Sequence, residues 1–181
     1  YVFRSGVPRD PVWTLNDDTA RGDMTVRKDG DRAGLINVER TVFVAKDREY
    51  QTANGPVLRN ASYVTEDGQE HEMTLTLPFT DSHTMAQRLG KAVMERSRLG
   101  KLVTRRESID AMRLNAGDIV NIEVGFLPVL GGTFEVNACK LNHETFEIEI
   151  EAEEYDDSIY AWSTADEQAF TIAPVELAGV N

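Results

Sequence analysis

Residues 145–154 constrain the fold more than any other stretch of the chain. Apolar and acidic side chains alternate in it, with Phe146, Ile148, Ile150 and Ala152 set against Glu147, Glu149, Glu151 and Glu153. Successive side chains of a strand point to opposite faces, so one face of this segment belongs to a core and the other is acidic. A helix would distribute both sets around its surface. We call Glu147, Glu149, Glu151 and Glu153 the carboxylate row.

Two further alternating segments precede this strand. Residues 133–141 alternate as well, and the short polar connection 142–144 joins them to the carboxylate row, which predicts a hairpin. The turn at Gly117-Asp118 starts a third strand over residues 119–124. Residues 114–154 are therefore predicted to form a three-stranded meander.

The rest of the chain is predicted to add short strands. In residues 35–44, Ile36, Val38, Val42 and Val44 share one phase, and Arg40 is the exception, placed at an edge or a subunit contact. Residues 46–62 show no convincing period and contain Asn54-Gly55-Pro56, which predicts a long loop. Further strands are predicted at residues 12–15, 24–26, 71–79 and 101–108.

One helix is predicted over residues 82–99. Asp81 or Ser82 can cap its first turn. The stripe expected to face a core consists of Met85, Leu89, Ala92, Val93 and Arg96. The opposite, solvent side carries Gln87, Arg88, Lys91, Glu95 and Arg98. Gly90 in mid-helix indicates close packing, because glycine there is less favourable than alanine by roughly 0.5–1 kcal/mol.

Charge excludes one broad class of function. The 181 residues carry 19 Lys and Arg against 31 Asp and Glu, a formal net charge of -12. General nucleic-acid binding needs clustered basic residues, so this balance argues against it. The single cysteine, Cys139, allows no disulfide within the chain and is expected to be a buried structural thiol. No apolar run approaches the roughly 20 residues of a membrane-spanning helix.

No motif of a catalytic, cofactor or metal site is present. The sequence has no phosphate-binding glycine pattern, no zinc-binding cysteine pair and no nucleophile elbow. The three histidines, His71, His83 and His143, are far apart. We therefore predict no enzyme activity, no catalytic residues, no cofactor and no metal.

The carboxylate row leaves an alternative open. Neighbouring carboxylates on one strand face lie roughly 6.5–7 Å apart, near the separation in inverting glycosidases. A catalytic pair also needs one carboxyl group in an apolar pocket, and four equivalent neighbours provide no such difference. A solvated or interfacial acidic face is the favoured interpretation.

The segment 125–132 is an apolar loop between glycines. An exposed apolar loop is typical of a contact surface. We predict that Phe126, Leu127, Val129 and Leu130 contact a partner protein.

The order of these segments resembles a known family. INVERTVFVAKDREYQ is followed by a loop with proline, ASYVTEDGQE, a strand ending in LPF, the helix TMAQRLGKAVMERSR, RLNAGDIVNIEV and finally EAEEYDDSIYAW. Residues 14–163 are thus similar to the central hub region of the tail tip attachment protein of lambda-like siphophages, in the phage tail protein family. Gly90, where alanine is usual, and residues 127–132 depart from the family pattern.

The resemblance implies a mainly β fold with one α-helix, built from β-barrel or sandwich-like hub domains like those of the phage baseplate hub. Residues 1–35 would be an N-terminal part of the hub. Residues 36–162 would form the hub domain, with a possible division into two subdomains near residue 113. Residues 163–181 would be a linker to a following module. The chain begins with Tyr1 and not with Met, so it is expected to be a piece of a longer protein.

The resemblance also implies a structural role in the virion tail tip. The protein would be made in the cytoplasm of the bacterial host. In the virion tail tip it would form a homotrimer that closes the tail tube and supports host attachment. The trimer would contact the tape measure and other tail tip and distal tail proteins. DNA would pass without specific binding, and an acidic strand face suits such a channel. A tail-associated enzyme that degrades the cell wall and a glycan- or receptor-binding β module are the alternatives.

Overall fold

A computed structural model describes residues 9–28, 34–125 and 128–170, except for the side chains at positions 28 and 47. Nine strands and two α-helices are present in this part of the chain. The strands are β1 (Trp13–Leu15), β2 (Thr25–Lys28), β3 (Val38–Ala45), β4 (Gln51–Arg59), β5 (Glu72–Leu77), β6 (Lys101–Glu107), β7 (Ile119–Ile122), β8 (Gly132–Asn142) and β9 (Glu147–Glu154). The helices are α1 (Ala61–Asp67) and α2 (His83–Arg96).

The chain folds into two compact units, and neither is one continuous stretch. Of the described residues, the first unit contains 9–28, 34, 96–125 and 128–161, and the second contains 35–95 and 162–170. The first has a six-stranded sheet in the order β1-β7-β8-β9-β6-β2, and the second has a three-stranded sheet in the order β4-β3-β5. Each sheet is mixed, with one parallel pair, β1 with β7 and β3 with β5. Residues 171–181, the end of the predicted linker, lie outside the described residues.

The meander predicted from residue 114 onward is the centre of the first unit. β7, β8 and β9 are antiparallel neighbours, and β6 pairs with the other edge of β9. Ile148, Ile150 and Ala152 are buried in the core of this unit together with Phe134 and Val120. The alternation of apolar and acidic residues therefore predicted the strand and the burial of Ile148, Ile150 and Ala152 correctly. It was wrong for Phe146, which lies in the turn before β9 and is 65% exposed.

The second unit packs α2 on one face of its small sheet. That face of β3 carries Glu39, Thr41, Phe43 and Ala45, all buried. Of the residues predicted to share the other phase, Val38 is buried, whereas Ile36, Val42 and Val44 are only partly buried. The face of β3 that carries Glu39 is partly polar, so hydrophobic periodicity alone does not identify it.

The predicted loop over residues 46–62 is instead largely regular structure. β4 pairs antiparallel with β3 despite Gly55 and Pro56, and a bulge interrupts the pairing between Arg40 and Val42. α1 follows directly. Its N-terminus is capped by Asn60, whose side chain accepts hydrogen bonds from the N–H groups of Ser62 and Tyr63. The fold therefore has two helices in the described residues, not the single helix predicted.

The predicted apolar stripe of α2 is also wrong. The buried residues of the helix are Ala86, Gln87, Gly90 and Met94, whereas Met85 is 48% exposed and Leu89 is 39% exposed. The close packing expected at Gly90 is confirmed. An added Cβ there would lie 2.3 Å from Oε2 of Glu39.

The mainly β class is confirmed, but a closed barrel is not observed. Across residues 9–28, 34–125 and 128–170, no backbone pairing joins the two outer strands of the six-stranded sheet, β1 and β2. Neither α1 nor α2 has the length and apolar character needed to cross a membrane, and no other described helix has them either.

Candidate functional site

The carboxylate row lies on the face of β9 opposite the core of the first unit. Each of its four side chains is partly exposed. The row therefore forms on one strand as predicted, open to solvent along its length. No glutamate of the row has the enclosed apolar surroundings that a catalytic acid requires.

Basic side chains on the neighbouring strands flank the row. Lys140 of β8 and Arg106 of β6 both lie opposite Glu149 in the pairing register, so they share its face of the sheet. Lys140 forms an ion pair with Glu151, and this hydrogen bond raises the pKa of Lys140. The row is therefore a mixed strip of charge, in which the glutamates outnumber the bases.

A third basic side chain, that of Arg96, lies at the other end of the row. Arg96, which belongs to the first unit, has a guanidinium nitrogen 3.6 Å from Glu153 and 3.4 Å from Glu135. Arg9 also contacts Glu135, at 3.1 Å. These contacts set the end of the row near Glu153 apart from the end near Glu147.

A shallow cleft of about 360 Å³ lies beside Glu151. Arg27, Leu102, Thr104 and Asn137 contribute to its walls. It presents both signs of charge beside neutral polar groups. Among the described residues that line it, the only carboxylate is that of Glu151. The polar lining suits a polar side chain or a backbone segment of a partner.

The structure divides the predicted partner loop. Val129 is 71% exposed, whereas Leu130 is packed against the core of the first unit. Phe126 and Leu127 lie outside the described residues. Of the described pair, Val129 is the more exposed, and Leu130 is partly buried.

The second unit has a cleft of about 230 Å³ between β4, α2 and the segment 162–168. Trp162 lies there beneath two cations of α2, with Arg88 and Lys91 within 5.7 Å of its ring centre. Two hydrogen bonds hold the segment on α2. Gln87 donates to the carbonyl of Gln168 at 3.0 Å and accepts from its N–H at 2.8 Å. Sequence analysis placed Gln87 on the solvent side, and only the tertiary contact explains its burial.

A buried ion pair in the first unit was also missed. Nε of Arg105 lies 2.6 Å from Oε1 of Glu107, and both side chains are almost fully buried. Burial raises the pKa of Glu107, and the Thr19 hydroxyl and the guanidinium groups of Arg105 and Arg21 counter part of that rise. The two residues are two positions apart on one face of the predicted strand 101–108, and no motif in the sequence marks them as buried.

Comparison with known proteins gives structural matches only. No protein family and no curated protein matches the chain. A chain of the native gene transfer agent virion matches 84% of it with a TM-score of 0.63 and 14% identity. The tail protein of Neisseria meningitidis MC58 matches 84% with a TM-score of 0.54 and 14% identity. The 43 kDa tail protein of prophage MuSo2 from Shewanella oneidensis matches 87% with a TM-score of 0.50 and 10% identity.

The chain shares its fold with phage tail proteins. It spans 33% of the gene transfer agent chain and 46% of each of the two bacterial tail proteins. At this level of identity the likeness concerns the fold. Because the chain corresponds to less than half of each tail protein, the activity of the whole protein is a separate question.

Proposed function

We propose that this chain is a structural segment of a phage or prophage tail tip. In this proposal it forms part of the hub that closes the tail tube and supports host attachment and DNA passage. The observation that carries the proposal is the likeness of 84% of the chain to a virion chain and to a bacterial tail protein. Copies of the chain assemble as a homotrimer around a channel, in contact with the tape measure and the other tail tip and distal tail proteins.

The role is assembly rather than catalysis. The carboxylate row is open to solvent, and two of its members, Glu151 and Glu153, form ion pairs with Lys140 and Arg96. A pair of acids that breaks glycosidic bonds needs two carboxyl groups in different environments. This arrangement supports a non-catalytic surface.

Several exposed features can serve as contacts in such an assembly. Val129 protrudes from the loop of the first unit. In the second unit, β5 is an outer strand of its sheet, and Met85 and Leu89 expose an apolar flank of α2. Edge strands and exposed apolar side chains are typical of surfaces that partners cover.

The carboxylate row faces the channel in this proposal. DNA carries dense negative charge, and a wall with excess carboxylates disfavours its adhesion. The net charge of -12 gives the rest of the surface the same sign. Lys140 and Arg106 flank the row without reversing its charge.

Genome ejection from purified particles tests this role. Particles are assembled with the triple variant Glu147→Gln, Glu149→Gln and Glu151→Gln, and the rate of DNA release is measured after triggering. The control triple variant, Glu66→Gln, Asp81→Asn and Glu144→Gln, removes the same charge from exposed acids elsewhere. We expect slower release from the row variant alone.

A density map of the assembled tip gives the independent check. The proposal requires Glu147, Glu149 and Glu151 to line the lumen. A map that places them on the outside, or particles that lack the chain altogether, would overturn it.

A further inference from the structure

Glu39 is a fully buried carboxyl group in the centre of the second unit. It lies on β3, the middle strand, and its cross-strand neighbours are Leu58 of β4 and Met73 of β5. From the other side, Gly90 of α2 approaches so closely that a Cβ would lie 2.7 Å from Cδ of Glu39. The carboxyl group is therefore held between apolar side chains and the backbone of a helix.

Neither oxygen of this carboxyl group has a hydrogen-bond partner among the described residues. Burial raises the pKa of Glu39 from 4.5 to about 7. A neutral acid tolerates such a place far better than a carboxylate, because transfer of an unpaired charge out of water is strongly unfavourable.

Among the described residues of the elements packed against Glu39, no charged group faces its carboxyl group. The charged residues of the sheet nearest to it, Arg40, Arg59 and Glu72, lie in the alternate register positions and point to the opposite face. The buried residues of α2 are Ala86, Gln87, Gly90 and Met94, and none of them titrates. Lys91, next to Gly90, pairs with Asp166 at 3.2 Å.

The helix above Glu39 also holds the segment 162–170. Besides the Gln87 contacts, the ring of Phe170 packs on Phe43 and His83 at centroid distances of 5.3 and 5.5 Å. The segment thus contacts both α2 and Phe43 of β3, so a movement of α2 away from the sheet breaks at least one of these two sets of contacts.

We propose that Glu39 is a proton-dependent latch between α2 and the sheet of the second unit. While its carboxyl group is neutral, α2 lies directly on it. When the group ionises, hydration of the carboxylate is favoured over its burial. α2 and the segment 162–170 then move away from the sheet. This inference concerns the second unit alone and does not depend on the proposed role in the tail.

The direction of the pH dependence follows from the raised pKa. The stabilisation of the closed state is complete below the ordinary pKa of a free glutamate, 4.5, and is lost as the pH rises to about 7. Acidification therefore closes the latch, and mild alkali opens it.

Hydrogen exchange of the whole chain tests the latch. We expect the protection of amides in residues 83–96, corrected for intrinsic exchange rates, to fall at least about tenfold between about pH 5.5 and about pH 8.5. Glu39→Gln keeps the shape and removes the charge, so its protection stays constant over that range. Glu66→Gln, at an exposed position of α1, behaves as the unmodified chain does.

Three results would overturn the latch. The first is protection of residues 83–96 that does not change with pH in the unmodified chain. The second is a loss of protection with rising pH in Glu39→Gln that equals the loss in the unmodified chain. The third is an equal loss of protection in the strands of the first unit. If Glu39→Gln does not fold, carbon-13 NMR of the Glu39 carboxyl group in the unmodified chain decides, since a midpoint near 4.5 contradicts the proposal.

Discussion

Gly90 lies in the middle of α2, where alanine would favour an isolated helix by about 1 kcal/mol. In the folded chain an added Cβ would come within 2.3 Å of the carboxyl group of Glu39, a fully buried side chain. The steric penalty of overpacking a core, typically about 1–3 kcal/mol, therefore exceeds the gain in helix propensity. Glycine at this position is a requirement of packing and not of backbone conformation.

We expect Gly90→Ala to lower the free energy of unfolding by about 1–2 kcal/mol, measured by urea denaturation. Gly34→Ala is the matched control, since a Cβ at Gly34 meets nothing within 4 Å. In a chain that already carries Glu39→Ala, the second change at Gly90 should be neutral or stabilising. Equal effects of Gly90→Ala in both backgrounds would show that Glu39 is not the obstacle.

The buried pair of Arg105 and Glu107 raises a different question at the same scale. Burying two charges is unfavourable, and their attraction offsets this only while both are present. Arg105 also donates a hydrogen bond to the backbone carbonyl of Asn16. Loss of the arginine alone leaves a buried carboxylate without its cation.

Arg105→Met should therefore destabilise the chain by about 3–5 kcal/mol at neutral pH. The loss should shrink on acidification, because protonation of Glu107 removes the uncompensated charge. Addition of Glu107→Leu should restore most of the stability. Arg40→Met, which breaks the exposed pair of Arg40 and Glu72, is the control and should change stability by less than about 1 kcal/mol. A similar loss in both single variants would contradict the special role of the buried pair.

At the scale of elements, the sequence-based prediction and the structure differ on which residues of α2 are buried. The predicted stripe makes Leu89 a core residue, whereas in the structure Met94 is 4% exposed and Leu89 is 39% exposed. We expect Met94→Ala to destabilise the chain by about 2–4 kcal/mol and Leu89→Ala by less than about 1.5 kcal/mol. Thermal and urea unfolding of the two variants measure the difference. The reverse order would restore the predicted stripe.

The sequence predicted those elements whose apolar residues keep a clean period. β9 alternates without interruption, so both its existence and its buried face were predictable. β4 contains Gly55 and Pro56 and owes its order to pairing with β3, where Gly55 leaves room for the side chain of Thr41. α1 has seven residues and none of them is buried, so it has no apolar stripe from which the helix could be predicted.

The candidate site was predictable only in part, for a related reason. The positions of the carboxylate row follow from β9 alone. The cations beside it, Lys140 and Arg106, depend on which strands pair with β9 and in which register. Likewise, the burial of Gln87 depends on residues 162–170, some 80 positions away along the chain. Local patterns cannot contain such long-range information.

For the whole molecule, the prediction concerns self-association. The chain spans 33–46% of the length of the three solved chains it resembles, so those chains have further residues that can form contacts. A stable interface buries at least about 1,200 Å². Met85 and Leu89 expose only a small apolar flank of α2, and Phe79, Val129 and Phe146 lie singly in separate connections. The net charge of -12 adds repulsion between copies.

We therefore expect the isolated chain to be a monomer or a weak oligomer at about 10 µM, although we propose a homotrimer for the assembled tip. Sedimentation velocity over a concentration series measures this. Raising the salt concentration should favour association slightly, because it screens the like charges of the copies. A tight trimer of the isolated chain at micromolar concentration would show that its own surfaces suffice, and would move the trimer contacts onto residues 1–181.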